Sequence, residues 1–347
     1  MNDVKVPCLT LAILLLAVTT TVAENAYRLA MIGGQLTSED KDQLEKQVVE
    51  KPDDVESRTK LLGYYLVKGR MDSKAKSAKQ GHVQWLIENA PDSEVLGLPY
   101  GQINKILNQD GYKVCKQAWL KVIEGSPEDL LPLKNASRFF LLHDREISEG
   151  LLLRGQKLDE EDPEWSASLG RLYSLEMSVH PQGPVRVTAA KKAFRQFKSA
   201  HRLSDPNRRE VLLSDLAKTA IEAGLIDEAK KYATNMVEIH DQGWNRGNRT
   251  HHGNLILGRV ALVEGNVNAA KTRLILAGET EGSPQLDSFG PNMQLAKQLI
   301  ERGEREVVLE YFTLCKKFWK LSGGRLERWT EDVKANRDPQ FGANLNY

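Results

Sequence analysis

Charge of one sign is what this sequence most lacks: 48 Lys and Arg stand against 47 Asp and Glu, a formal net charge of +1. That balance gives no support to nucleic acid or an anionic membrane surface as a partner, since both attract strongly basic chains. Cysteine is scarce, with three in 347 residues, which leaves no Cys-rich zinc pattern and no disulfide framework. A phosphate-binding loop, a dinucleotide fingerprint and a His-Glu-x-x-His helix are all missing. Their absence points away from nucleotide and zinc enzymes, and no cofactor is implied. Aromatic residues make up 7% of the chain and fall at helix-core spacings, so they offer no stacking platform for bases or sugars.

Only one long apolar run occurs. Leu9 to Val18 is apolar apart from Thr10, too short to span a bilayer comfortably as a mature helix. Thr21-Val22-Ala23 follows with residues acceptable to a signal peptidase, and Glu24 would open the mature chain. Residues 1–23 are therefore expected to be a cleaved secretory signal. The protein would be exported, periplasmic or extracellular, with no membrane span after cleavage. Cys115 and Cys315 lie 200 residues apart and are expected to be buried free thiols rather than a disulfide, because repeat arrays contact mostly near neighbours.

What the sequence does contain is a pattern written twice. Leu213, Leu216, Ala217, Ala220, Gly224, Ala229, Ala233 and Met236 are matched, at the same offsets, by Asn254, Leu257, Gly258, Ala261, Gly265, Ala270, Leu274 and Ala277. Steps of three and four put these residues on one helical face. Gly224 and Gly265 suit the left-handed position that ends a helix. A further copy has Leu295, Ala296, Leu299, Gly303, Val308, Phe312 and Cys315. This pattern resembles the tetratricopeptide repeat, a helix–turn–helix unit of about 34 residues. The resemblance covers roughly residues 55–90 and 130–320, with its best motif agreement from about 163 onward. It implies an all-α fold, a right-handed α-solenoid of helix-turn-helix (TPR-like) repeats.

The expected organisation is a signal at 1–23 and a divergent N-terminal helical region at 24–127 with one degenerate repeat. A repeat array at 128–320 follows, then a capping helix and tail at 321–347. Within this frame, 24–36 is expected to be loosely ordered, with Gly33-Gly34 as a breaker. Thr37 or Ser38 caps a helix to about Glu50, and the next runs from Pro52-Asp53-Asp54 to Gly69. Pro91, Pro99 and Gly101 break up 91–127, leaving a helix from about Val114 to Glu124. Met177 to Thr188 reads as an insertion between two helices. The repeats are spaced by 41 and then 38 residues, and the additions fall at Gly243–Thr250 and Glu281–Phe289. A final helix spans Arg325 to Ala335, before an irregular tail.

Aligning the repeats puts Arg171, Lys218, Arg259 and Lys297 directly after each Leu-Gly or Leu-Ala pair. In the family that this resembles, that position faces the concave groove, so the four would form a basic ladder suited to carboxylates or an acidic peptide. The same residues are also good helix formers on any solvated face. The Asn positions of the family's peptide clamp are not matched here, so the clamp itself is not carried over.

Two connections hold the other candidates. His240 to Asn254 contains His240, Asp241, Trp244, Arg246, His251 and His252, and imidazole and carboxylate are suitable metal ligands. Adjacent His251 and His252 on a helix point about 100° apart, a poor bidentate pair. The second connection, Ser283 to Met293, carries Asp287, Ser288, Phe289, Pro291 and Asn292. Together the two could set His251, His252, Asp287 and Ser288 along one edge. That set suggests nucleophile, base and acid but lacks a nucleophile elbow or oxyanion motif. The resulting expectation is a non-enzymatic interaction scaffold with no catalytic or metal residues. Its groove would hold a protein or peptide segment, with Trp244, Arg246, His251, His252, Asp287 and Asn292 adding loop contacts. The rival is a metal-dependent or hydrolytic enzyme, which requires His240, His251, His252 and Asp287 to converge within a few Å.

Overall fold

Seventeen α-helices and no strand make up the described residues of the computed structural model, which are 21–68, 72–240 and 243–346. Residues 1–20, where most of the expected signal falls, lie outside them, as do Gly69 and Asp241-Gln242. No described helix is long and apolar enough to cross a membrane. The chain divides into two units, residues 1–160 and 161–347.

The first unit opens with a correction. Residues 24–36 are not loosely ordered: α1 (Thr21–Gln35) runs through Gly33 and Gly34 and packs on α3 (Val55–Lys68). The two backbones meet at glycines. A Cβ on Gly33 would lie 1.9 Å from the Lys60 carbonyl oxygen, and one on Gly63 would lie 1.9 Å from that of Ala30. Gly33 therefore permits close approach instead of breaking the helix. Between them, α2 (Ser38–Glu50) starts with a capping box. The Asp40 amide donates to Thr37 Oγ1 at 3.1 Å, and the Thr37 amide donates to the Asp40 carboxylate at 3.0 Å.

α4 (Ser73–Asn89) is capped by Asp72 and completes a polar network with α2 and α3. Arg58 donates to His82 Nδ1 at 3.1 Å, and His82 Nε2 lies 3.0 Å from Glu45, which also accepts from the Tyr65 hydroxyl. Arg58 has no acceptor, so Nδ1 accepts and Nε2–H donates. The segment after α4 makes two 3-10 turns, at Glu94–Gly97 and Pro99–Gly101. Then α5 (Gln109–Gly125) begins well before the expected Val114, because Asn108 caps it by accepting the Gly111 amide at 3.0 Å. α6 (Leu130–Phe140) and α7 (Arg145–Leu158) close the unit around the His143-Asp144 turn.

In the second unit, the helices from α8 to α13 each pack on their neighbours in sequence. α8 (Pro163–Val179) and α9 (Pro184–Leu203) are separated by four residues only, His180–Gly183, so the expected insertion at 177–188 is mostly helix. Pro184 sits in the first turn of α9, where its missing amide costs nothing. α10 (Pro206–Glu222) and α11 (Ile226–Glu238) form the next hairpin, α12 (Arg246–Val263) and α13 (Val267–Gly278) the one after. Gly224 and Gly265 make the left-handed turns, at φ +74° and +79°. Ala217, Ala220, Ala229, Ala233, Ala270 and Ala277 are fully buried where these helices meet.

Ion pairs recur between successive hairpins. Lys198 meets Glu228 at 2.7 Å, Lys230 meets Glu264 at 2.8 Å and Lys271 meets Glu304 at 2.6 Å. The short α14 (Pro284–Phe289) occupies the long connection before α15 (Gln294–Ile300) and α16 (Arg305–Cys315). Much of Gly243–Thr250, expected as connection, is the first turn of α12. Finally α17 (Arg325–Lys334) covers the last hairpin with Leu326, Trp329 and Val333. The tail is anchored by Phe341 and Asn344, and Asn344 donates to the Phe289 and Pro291 carbonyls at 3.2 and 2.9 Å. Cys115 and Cys315 are free and buried.

Candidate partner-binding face

The ladder positions stand on first helices of successive hairpins: Arg171 on α8, Lys218 on α10, Arg259 on α12 and Lys297 on α15. Helical spacing aligns further polar residues with them. Glu164, Ser168 and Arg171 share one face of α8, as do Asp215, Lys218 and Glu222 on α10. Two carboxylates each gather two guanidinium groups. Glu164 accepts from Arg171 and from Arg208, and Arg171 also donates to Ser168 Oγ at 2.9 Å. Glu222, deeply buried, takes Arg186 at 2.6 Å and Arg259 at 2.8 Å. Burial opposes the charge on Glu222, but the Arg259 and Arg186 charges and hydrogen bonds outweigh it and hold the carboxyl below its ordinary value. Four arginines sharing two carboxylates leave an excess of positive charge.

Arg259 reaches further. It donates to Gln294 Oε1 at 2.6 Å, and Gln294 Nε2 donates to the Leu345 carbonyl at 2.7 Å. A continuous polar chain thus runs from Arg186 to the C-terminal tail. Lys297 is placed differently, exposed and 3.7 Å from Glu301 on its own helix. Lys218 is half-buried and has no hydrogen bond or ion pair among the described residues.

The two candidate connections do meet. Ser283 Oγ donates to Asn248 Oδ1 at 2.6 Å, Thr280 Oγ1 donates to the Gly247 carbonyl at 2.9 Å, and Arg246 lies 3.4 Å from Glu281. His251 is sealed inside. Its Nδ1–H donates to the Ala277 carbonyl at 3.0 Å, and Nε2 accepts the Asn292 amide at 3.3 Å. Both nitrogens serve the fold, which fixes the neutral Nδ1–H tautomer. Burial holds its pKa down at about 4. His252 is half-buried beside it, Asp287 is turned elsewhere and accepts the Lys320 amide at 2.7 Å, and His240 is exposed. No group of three or more His, Cys, Asp or Glu placed to hold a metal occurs among the described residues. Of the expected loop contacts, Trp244 is 64% exposed and Arg246 also reaches solvent, whereas Asn292 is buried.

No protein-family model matches the chain, and no curated protein matches it. The acidic members of this face, Glu164, Asp215 and Glu222, escaped sequence reasoning, which followed one position of the repeat. Their signal was present as spacings of seven, three and four residues to the ladder: Glu164 to Arg171, Asp215 to Lys218 and Lys218 to Glu222.

Proposed function

We propose that the chain is a non-enzymatic interaction module acting outside the cytoplasm, a right-handed TPR-like solenoid that holds a carboxylate-rich partner segment. Arg171, Lys218, Arg259 and Lys297 line its groove, and Trp244 and Arg246 add contacts at one edge. The observation that carries this reading is the sharing of two carboxylates, Glu164 and Glu222, among four arginines beside an unpaired Lys218. Guanidinium groups held in place by such bridges are preorganised to donate charge-assisted hydrogen bonds. The apolar run at Leu9–Val18 and the Thr21-Val22-Ala23 site support export.

The test uses residues 24–347 and rhodamine-labelled hexaglutamate, a probe with carboxylates and no apolar side chain. Binding measured by anisotropy should weaken at least tenfold from low to high salt, because exposed ion pairs are screened. Replacing Arg171, Lys218, Arg259 and Lys297 together with Ala should abolish it while circular dichroism stays helical. Unchanged binding by a folded quadruple variant would sink the groove assignment.

A further inference from the structure

Asp215, Lys218 and His252 are half-buried ionisable groups of this face that the arginine bridges leave over, whereas Lys297 is exposed. Asp215 and Lys218 stand one turn apart on α10, and His252 stands on α12, which packs directly on α10. All three side chains are half-buried, and none has a hydrogen bond or ion pair among the described residues. Polar groups in such positions normally find partners within the fold, and unpartnered ones collect where ligands bind.

The surroundings favour the neutral form of each. Burial holds Lys218 below its ordinary 10.5, with the Asp215 charge opposing. Burial pushes Asp215 above 3.8, against the pull of Lys218 and of Arg171 on α8. Burial and then the Lys218 charge hold His252 well below 6.5. The other charged groups nearby are already engaged: Arg186 of α9 and Arg259 of α12 are held by Glu222, and His251 by the backbone.

We propose that this cluster binds a carboxylate of the partner together with a proton, so that binding weakens as pH rises. The inference rests on the acidic-segment reading above. As the anion arrives it favours the NH3+ form of Lys218, which burial disfavours in the free protein. The ammonium donates to the ligand's oxygens, and any fraction that was NH2 takes its proton from solvent. A ligand that binds only the protonated form loses affinity by up to about tenfold per pH unit above the free group's pKa. Asp215 and His252 act in the same sense, since protonating either makes the cluster more positive.

The experiment titrates the purified protein with hexaglutamate at pH 6.5 and 9.5 in low salt. Binding should be weaker at the higher pH, by a factor set by how far burial lowers the Lys218 pKa. Lys218→Arg, whose guanidinium stays charged across this range, should remove most of that difference. Calorimetry in buffers of unlike ionisation enthalpy should show net proton uptake. In the free protein, the Cε resonance of 13C-labelled Lys218 should titrate below 10.5. Equal affinity at the two pH values, a fall that Lys218→Arg retains, or titration at the ordinary lysine value would overturn the inference and leave the acidic-segment reading standing. No binding at either pH would overturn that reading, and this one with it.

Discussion

His251 shows how a residue with the right chemistry for a site can be given wholly to the fold. Its ring ties α12 to the end of α13 through Ala277 and to the connection before α15 through Asn292. A protonated imidazole would turn Nε2–H toward the Asn292 amide, donor against donor, in a site without water's dielectric. The unfolded chain titrates near 6.5 and the folded chain near 4. Above 6.5 neither state carries the proton. As pH falls from 6.5 to 4, the unfolded state takes it up and the native state refuses it, so stability drops by up to about 3 kcal/mol. Urea midpoints at pH 7 and 4.5 should therefore diverge less for His251→Gln than for the natural chain, although the variant is weaker at both.

At the scale of the element, glycine has opposite meanings in neighbouring helices. Gly33 and Gly63 sit where α1 and α3 touch backbone to backbone, and an added methyl at either meets a carbonyl oxygen. Gly81 is exposed in α4, and an added Cβ there meets nothing within 4 Å. Gly63→Ala should thus destabilise by about 1–3 kcal/mol through overpacking, whereas Gly81→Ala should stabilise by about 0.5–1 kcal/mol through helix propensity. Thermal melts of the two variants check the contrast. Equal shifts of one sign would remove the close-packing account of α1.

Across the second unit, helices chiefly contact their sequence neighbours, so damage should stay local. The tail is the exception in reach. Asn344 accepts the Met293 amide at 2.8 Å, and Leu345 holds Gln294, which holds Arg259. Deleting residues 336–347 should strip amide protection from α15, α16 and α17 in hydrogen exchange while α10 and α11 keep theirs. Because Arg259 loses the support of Gln294, hexaglutamate binding should weaken as well, by severalfold. Uniform loss of protection through the unit would count against the nearest-neighbour picture.

Much of the architecture was legible from residue order because a helix declares itself locally. Steps of three and four placed Leu216, Ala217, Ala220, Ala229 and Ala233 on buried faces, and Gly224 and Gly265 ended their helices with left-handed backbone. The bases of the candidate face came from the same periodicity. Their partners did not. Glu222 meets Arg186 and Arg259 from 36 and 37 residues away, and Gln294 meets Leu345 from 51. Such pairings carry no local period and exist only once hairpins stack. The same holds for Gly33, which reads as a breaker until α3 lies against it, and for His251, whose burial depends on α13 and the connection before α15. Local propensity determined the helices and their turns; packing between distant segments decided which charges are paired, which are free and which polar groups belong to the core.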